Sequence, residues 1–307
     1  MKKFIAALSI LFTITSIAAP VEKVVVFGDS LSDNGNLFEY MKHQLPLSPP
    51  YFDGRFSNGP VWVERFVMEK FHEKSKEHLF DYAVGGAGVS DDSSALFSLH
   101  NQVDSYFMAN GDKADANTIY IVWIGANNYL ALPDDEDKAV ADVNDGIEQE
   151  LELLASRGAK YIAVANLPDL GRIPAANDFE SKEKFSIISH KHNQELERRI
   201  ANLKAKYPHV TWPILDAYSE MTKMLDNPAN YGLTNVTDTC YEAAYEEDQK
   251  PSVRAIIAAS ASPKPELVRG ACDGYLFFDP VHPAAQAHKI MANYVKQTLA
   301  ESSIELG

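Results

Sequence analysis

An α/β fold, with a parallel sheet covered by helices on both faces, is what the order of patterns along this chain predicts. Three observations carry the prediction. Short runs rich in β-branched residues have the length of buried strands, and amphipathic stretches with apolar residues three and four apart lie between them. No internal repeat or low-complexity tract interrupts the alternation.

Taken in order, Lys23–Phe27, Leu79–Ala83, Thr118–Ile124, Tyr161–Asn166 and Val210–Leu215 read as strands, since continuous apolar runs suit a sheet buried on both sides. Val140, Val143, Ile147, Leu151 and Leu154 mark one helix, which stops before Gly158. Phe185, Ile188, His192, Leu196, Ile200 and Leu203 mark a second, opened by an Asn177-x-x-Glu180 capping box. A last helix follows Pro283 and carries Ala287, Ile290, Met291, Tyr294 and Val295 on one face. The acidic run Asp134–Asp137 lacks the glycine and alternating ligands of a calcium loop and reads as a solvated helix start. Two insertions, Met41–Gly59 and the stretch between Cys240 and Cys272, are expected to overhang the end of the sheet.

The first residues look like an export signal: Lys2 and Lys3, an apolar stretch to Ile17, then small residues. Cleavage after Ala18 is expected, leaving 19–307 as one domain with an insertion at 240–272 and no integral membrane anchor. Of the 307 residues, 46% are hydrophobic, enough for one large core. The formal charge of −15 becomes two units more negative once Lys2 and Lys3 leave, which argues against nucleic acid as a partner. In an oxidising compartment the two cysteines, Cys240 and Cys272, are expected to pair. A bridge closing so long a loop stabilises by roughly 3–4 kcal/mol in the chain-entropy account.

Chemistry gathers at both ends of the chain. In Val24-Val-Val-Phe-Gly-Asp-Ser-Leu-Ser-Asp-Asn-Gly-Asn36, Ser30 sits just beyond the first strand, and in parallel sheets sites form beyond the carboxyl ends of strands. About 250 residues later comes Asp279-Pro-Val-His282. A serine becomes a nucleophile when a neutral imidazole takes its proton and a carboxylate orients that imidazole. Ser30, His282 and Asp279 are therefore the candidate nucleophile, base and orienting acid. The oxyanion of such a reaction needs preorganised donors. Ala83-Val-Gly-Gly-Ala-Gly88 and Trp123-Ile-Gly-Ala-Asn-Asn-Tyr129, each after a strand, offer the Gly86 N–H and the Asn127 side-chain amide beside the Ser30 N–H. His190 and His192 fall on different helix faces, and His288 reads as structural, so neither metal nor cofactor is expected.

Gly28-Asp29-Ser30-Leu31, Gly86, Gly125-Ala-Asn127 and Asp279-x-x-His282 resemble the four blocks of the GDSL, or SGNH, hydrolase family. Pro49-Pro-Tyr51, Gly54–Trp62, Asn166–Gly171 and Asn230–Cys240 are similar to its bacterial glycerophospholipid:cholesterol acyltransferase branch. The resemblance covers about Val24 to Val295. It implies a flavodoxin-like three-layer α/β/α sandwich around a mostly five-stranded parallel sheet. It also implies release of fatty acyl groups from lysophospholipids or phospholipids through an acyl-enzyme, with cholesterol as an alternative acceptor. By the same resemblance, a protease cutting within 240–272 is an expected activator; the apolar stretch Ser252–Ala259 is expected to cover the lipid cleft, and the Pro-rich segment after it to be open to cutting. Asn128 stands where the third block usually has Asp, so a changed local hydrogen bond is expected, with activity kept. The competing readings are a carbohydrate or short-chain esterase on the same fold and a non-catalytic lipid-binding protein.

Overall fold

The computed structural model describes residues 20–89, 97–178, 181–241 and 272–307. Five strands, β1 (Lys23–Gly28), β2 (Leu79–Asp81), β3 (Thr118–Trp123), β4 (Tyr161–Ala165) and β5 (Ile214–Leu215), form one parallel sheet in the order β2-β1-β3-β4-β5. This is the flavodoxin-like order, in which β3 is central and the strand order reverses between β1 and β3. Helices α1 (Asn36–Tyr40), α2 (Trp62–Phe71), α3 (Ser75–His78), α4 (Leu99–Asn110) and α5 (Ala126–Tyr129) lie in the first half. Among the described residues, α6 (Glu136–Ser156), α7 (Pro174–Asp178), α8 (Lys182–Lys206), α9 (Ala217–Asp226) and α10 (Ala285–Glu301) follow. A parallel pair, β6 (Asn235–Thr239) and β7 (Tyr275–Phe277), stands apart from the main sheet.

The alternation of side chains along a strand explains the three layers. Val25 and Phe27 of β1, with Tyr120 and Val122 of β3, point into the core made with α4, α6 and α8. Val24, Val26, Ile119 and Ile121 point the other way, into the core made with α2 and α10. Both faces of these strands are dry, hence the apolar runs.

The expected strands appear, the first one residue longer and the other four shorter. The largest difference is Val210–Leu215, of which only Ile214 and Leu215 form a strand, with a single bridge at Thr211. Pro213 has no N–H to give to a ladder, although its carbonyl accepts the Val164 N–H at 3.1 Å. The expected capping box also fails. Asn177 lies in α7, α8 starts only after Ser181, and Glu180 lies outside the described residues. The acidic run does start a helix: Asp135 caps α6 by accepting the Lys138 N–H at 2.9 Å. Cys240 and Cys272 are joined, with Cα atoms 5.2 Å apart. The expected leader at 1–18, the expected cover Ser252–Ala259 and the segment after it expected to be cut lie outside the described residues.

Candidate active site

β1 carries the chain into a tight turn, and the approach is too close for any side chain at its end. A Cβ on Gly28 would lie 2.7 Å from the Trp123 carbonyl. Gln102 of α4 clamps the same residue from the other side, accepting the Gly28 N–H at 2.8 Å and donating to the Gly28 carbonyl at 2.8 Å. The Asp29 side chain accepts the Leu31 N–H at 3.0 Å, and the Ser32 and Asp33 N–H groups both reach the Asp29 carbonyl at 3.0 Å. Ser30 is thereby presented at the tip of the turn, with little freedom.

The Asp279–His282 turn closes on itself. Oδ1 of Asp279 accepts the Val281 N–H at 2.9 Å and the His282 N–H at 2.8 Å. His282 Nδ1 lies 2.7 Å from Asp279 Oδ2, and its Nε2 lies 2.8 Å from Ser30 Oγ. Three residues from opposite ends of the chain thus form a continuous hydrogen-bonded row, all of them buried. With Nδ1 donating to the carboxylate, Nε2 is the acceptor facing the serine hydroxyl. Burial works against the Asp279 charge. His282, the Val281 N–H and the Tyr51 hydroxyl outweigh it and hold the carboxyl below its ordinary range.

Gly86 has φ of 78°, a left-handed conformation that glycine adopts without strain. Its turn is pinned at both ends. Asp33 accepts the Gly85 N–H at 2.7 Å, and the Asn127 amide donates to the Ala87 carbonyl at 2.8 Å. Among the described residues neither the Ser30 nor the Gly86 N–H has a hydrogen-bond acceptor. Asn127 borders the same cavity as Ser30, and its amide keeps a second N–H beyond the one given to Ala87. Asn128 Oδ1 accepts the Val89 N–H at 3.0 Å, so the residue that departs from the family block ties the two glycine-bearing turns together.

Asp33 and Asp29 support this site with no spacing or motif to announce that role, whereas His192 and His288 are the buried structural residues that their positions predict. Asp33 is fully buried and gathers N–H groups from Gly35, Asn36, Leu37 and Gly85, and burial still raises its pKa to about 6. Burial likewise raises Asp29 to about 6. Behind Asn127, the His192 Nδ1 accepts from the Tyr129 hydroxyl at 2.8 Å and the Asn144 amide at 3.1 Å. Burial pulls its pKa down to about 3, so it is a neutral packing element. His288 is also buried, takes the Trp62 N–H at 3.2 Å, and is lowered to about 3, chiefly by burial. A cavity of about 70 Å³ opens beside Ser30 and His282, walled by Leu31, Leu130, Ile173, Met224, Phe277 and Met291. What the arrangement can do chemically is remove a proton from a serine hydroxyl beside an apolar recess.

Comparison with known proteins agrees with this geometry. A phosphatidylcholine-sterol acyltransferase of Aeromonas hydrophila is 31% identical, with 99% of each chain covered. A secreted effector protein of Salmonella typhimurium and a thermolabile hemolysin of Vibrio parahaemolyticus are each 28% identical. The match covers 91% and 93% of this chain but only 64% and 65% of those two proteins. The model of the GDSL-like lipases and acylhydrolases matches residues 24–295. The chain belongs to the GDSL-like lipase/acylhydrolase family and is a serine ester hydrolase.

Proposed function

We propose that this protein is an exported lipid acyl hydrolase that releases fatty acid from lysophospholipids and phospholipids. The observation that carries the reading is the 2.8 Å contact between Ser30 Oγ and His282 Nε2 at the mouth of an apolar cavity. A recess with so few polar walls suits an acyl chain better than a sugar. The acyltransferase relative supports phospholipid as acyl donor and sterol as acceptor. Length, leader and paired cysteines are also similar to the secreted lysophospholipase A of Legionella, which favours the one-chain substrate.

In this reading His282 Nε2 takes the Ser30 proton as Oγ bonds to the ester carbonyl carbon. The oxygen that becomes negative is held by the Ser30 and Gly86 N–H groups and the Asn127 amide. Collapse breaks the ester C–O bond, and the imidazolium returns its proton to the departing alcohol. Water, deprotonated by the same imidazole, then splits the acyl-enzyme into fatty acid and free Ser30. A sterol hydroxyl in place of water gives a steryl ester instead. Asp279 keeps the imidazole in the tautomer that all these steps need. Residues 19–307 act as one hydrolase domain in this account, with residues 1–18 removed on export and the 240–272 loop cut by an activating protease.

The test is a panel of lysophospholipids, phospholipids and acetylated sugars, with and without cholesterol, and product identification by mass. Free fatty acid from the lipids is the expected product, with cholesteryl ester when sterol is present. Turnover confined to acetylated sugars would replace this reading with the carbohydrate-esterase one.

A further inference from the structure

We propose that Tyr51 is a positioning residue for the reaction, holding the Asp279 carboxylate so that it orients His282. The Tyr51 hydroxyl donates to Asp279 Oδ2 at 2.7 Å, across 228 residues of chain. Oδ2 is the oxygen closer to His282 Nδ1, while Oδ1 is occupied by the N–H groups of its own turn. His282 Nδ1 also lies 2.9 Å from Oδ1, so besides the imidazole that is to be oriented, only the turn N–H groups hold Oδ1 and only the phenol holds Oδ2 among the described residues. The phenol fixes the second oxygen, and so the plane of the group.

The phenol is itself immobilised. Tyr51 is buried, and its ring meets Phe278 edge-on at 5.1 Å, Tyr241 at 5.7 Å and Phe56 at 6.0 Å. Phe56 in turn lies 5.0 Å from the His282 ring. Tyr241 is next to the Cys240–Cys272 bridge, and its N–H reaches the Phe278 carbonyl at 2.8 Å. An aromatic box therefore surrounds the Asp279–His282 pair, built from the Met41–Gly59 insertion and the bridged segment. Among the described residues, the titratable groups facing Asp279 are His282, Tyr51 and Tyr241. A hydroxyl that donates to a carboxylate favours its charged form, so removing it lets the carboxylate take up a proton at higher pH.

This inference rests on the roles given above to Asp279 and His282. The test is Tyr51→Phe, which keeps the ring and deletes one oxygen. With a soluble p-nitrophenyl ester we expect kcat to fall roughly 10-fold, the scale of one hydrogen bond to a charged group. KM should stay within about two-fold, and the acid limb of kcat/KM should move to higher pH, because the loss lies in orienting the base and not in binding. The rate of Ser30 labelling by a fluorophosphonate should fall in step, while thermal melting is followed in parallel. A pH profile superimposable on wild type overturns the proposal. So does a loss of rate that tracks a lower melting temperature with the acid limb unmoved, which would make Tyr51 merely structural. Wild-type protein that the fluorophosphonate fails to label would instead overturn the serine-ester reading itself, and this inference with it.

Discussion

The turn carrying Ser30 and the turn carrying Asp279 and His282 meet at 2.8 Å, yet the molecule holds them by different means. The first is the continuation of β1, which is hydrogen-bonded on one side to β2 and on the other to β3. Its position follows from the main ladder and from the Gln102 clamp on Gly28. The second follows β7, which pairs with β6 outside the main sheet and makes a single bridge, Phe277 to Pro283, with the chain just beyond it. It is placed by its own internal turn, by Tyr51 and by an aromatic cluster next to the bridge. Damage to the supports of the nucleophile turn should therefore appear first in stability, and damage to the supports of the acid–base turn first in turnover.

The largest expected effect tests the contact between the two sides. Ser30→Ala should lower turnover by roughly 10⁴-fold or more and abolish fluorophosphonate labelling, with little change in melting. Labelling that persists would remove Ser30 from its role. Next comes Asn127→Asp, which introduces an acceptor where a donor is required and should lower kcat by roughly 10²–10³-fold. A rate within a few-fold of wild type would exclude Asn127 from the oxyanion site.

Gln102→Leu isolates the nucleophile side. It leaves the buried Gly28 N–H without its partner, while the Gly28 carbonyl keeps the Val84 N–H at 3.2 Å, and should cost about 1–3 kcal/mol of stability, read by denaturant unfolding. A variant as stable as wild type but much slower would invert the comparison drawn above.

The smallest effect is one of pH. His192 titrates near 3 when folded and near 6.5 when not, so the unfolded chain binds its proton first and stability drains away as pH falls from 6.5. His192→Asn, which keeps an acceptor near the Nδ1 position, should remove about 2 kcal/mol of the loss between pH 6.5 and 5. Asp29 and Asp33, raised to about 6, act in the opposite sense: the folded state binds their protons first and gains stability as pH falls below 6. The comparison must therefore be between variant and wild type at each pH. Equal slopes would mean that His192 is not buried neutral.

Much of the fold was legible because burial on both faces writes long apolar runs into the strands, and long amphipathic helices repeat their pattern often enough to read. The helices Trp62–Phe71, Leu99–Asn110 and Ala217–Asp226 escaped notice for the opposite reason. Each is 12 residues or shorter, and Leu99–Asn110 turns the polar Gln102 inward and leaves Met108 exposed. Val210–Leu215 was over-read, since its composition suits a strand while Pro213 denies the ladder a donor.

What the sequence alone determined is local: the β1 run, the tight turn that exposes Ser30, and the Asp-x-x-His spacing whose side chain reaches its own backbone N–H groups. Such features depend on residues a few positions apart, and short-range geometry follows from order. What only the tertiary structure decided is which distant groups complete them. Gln102 on Gly28, Asp33 on Gly85 and Tyr51 on Asp279 are pairings across 74, 52 and 228 residues. No periodicity encodes such partners, because a buried polar atom bonds to whatever donor packing brings within 3 Å of it.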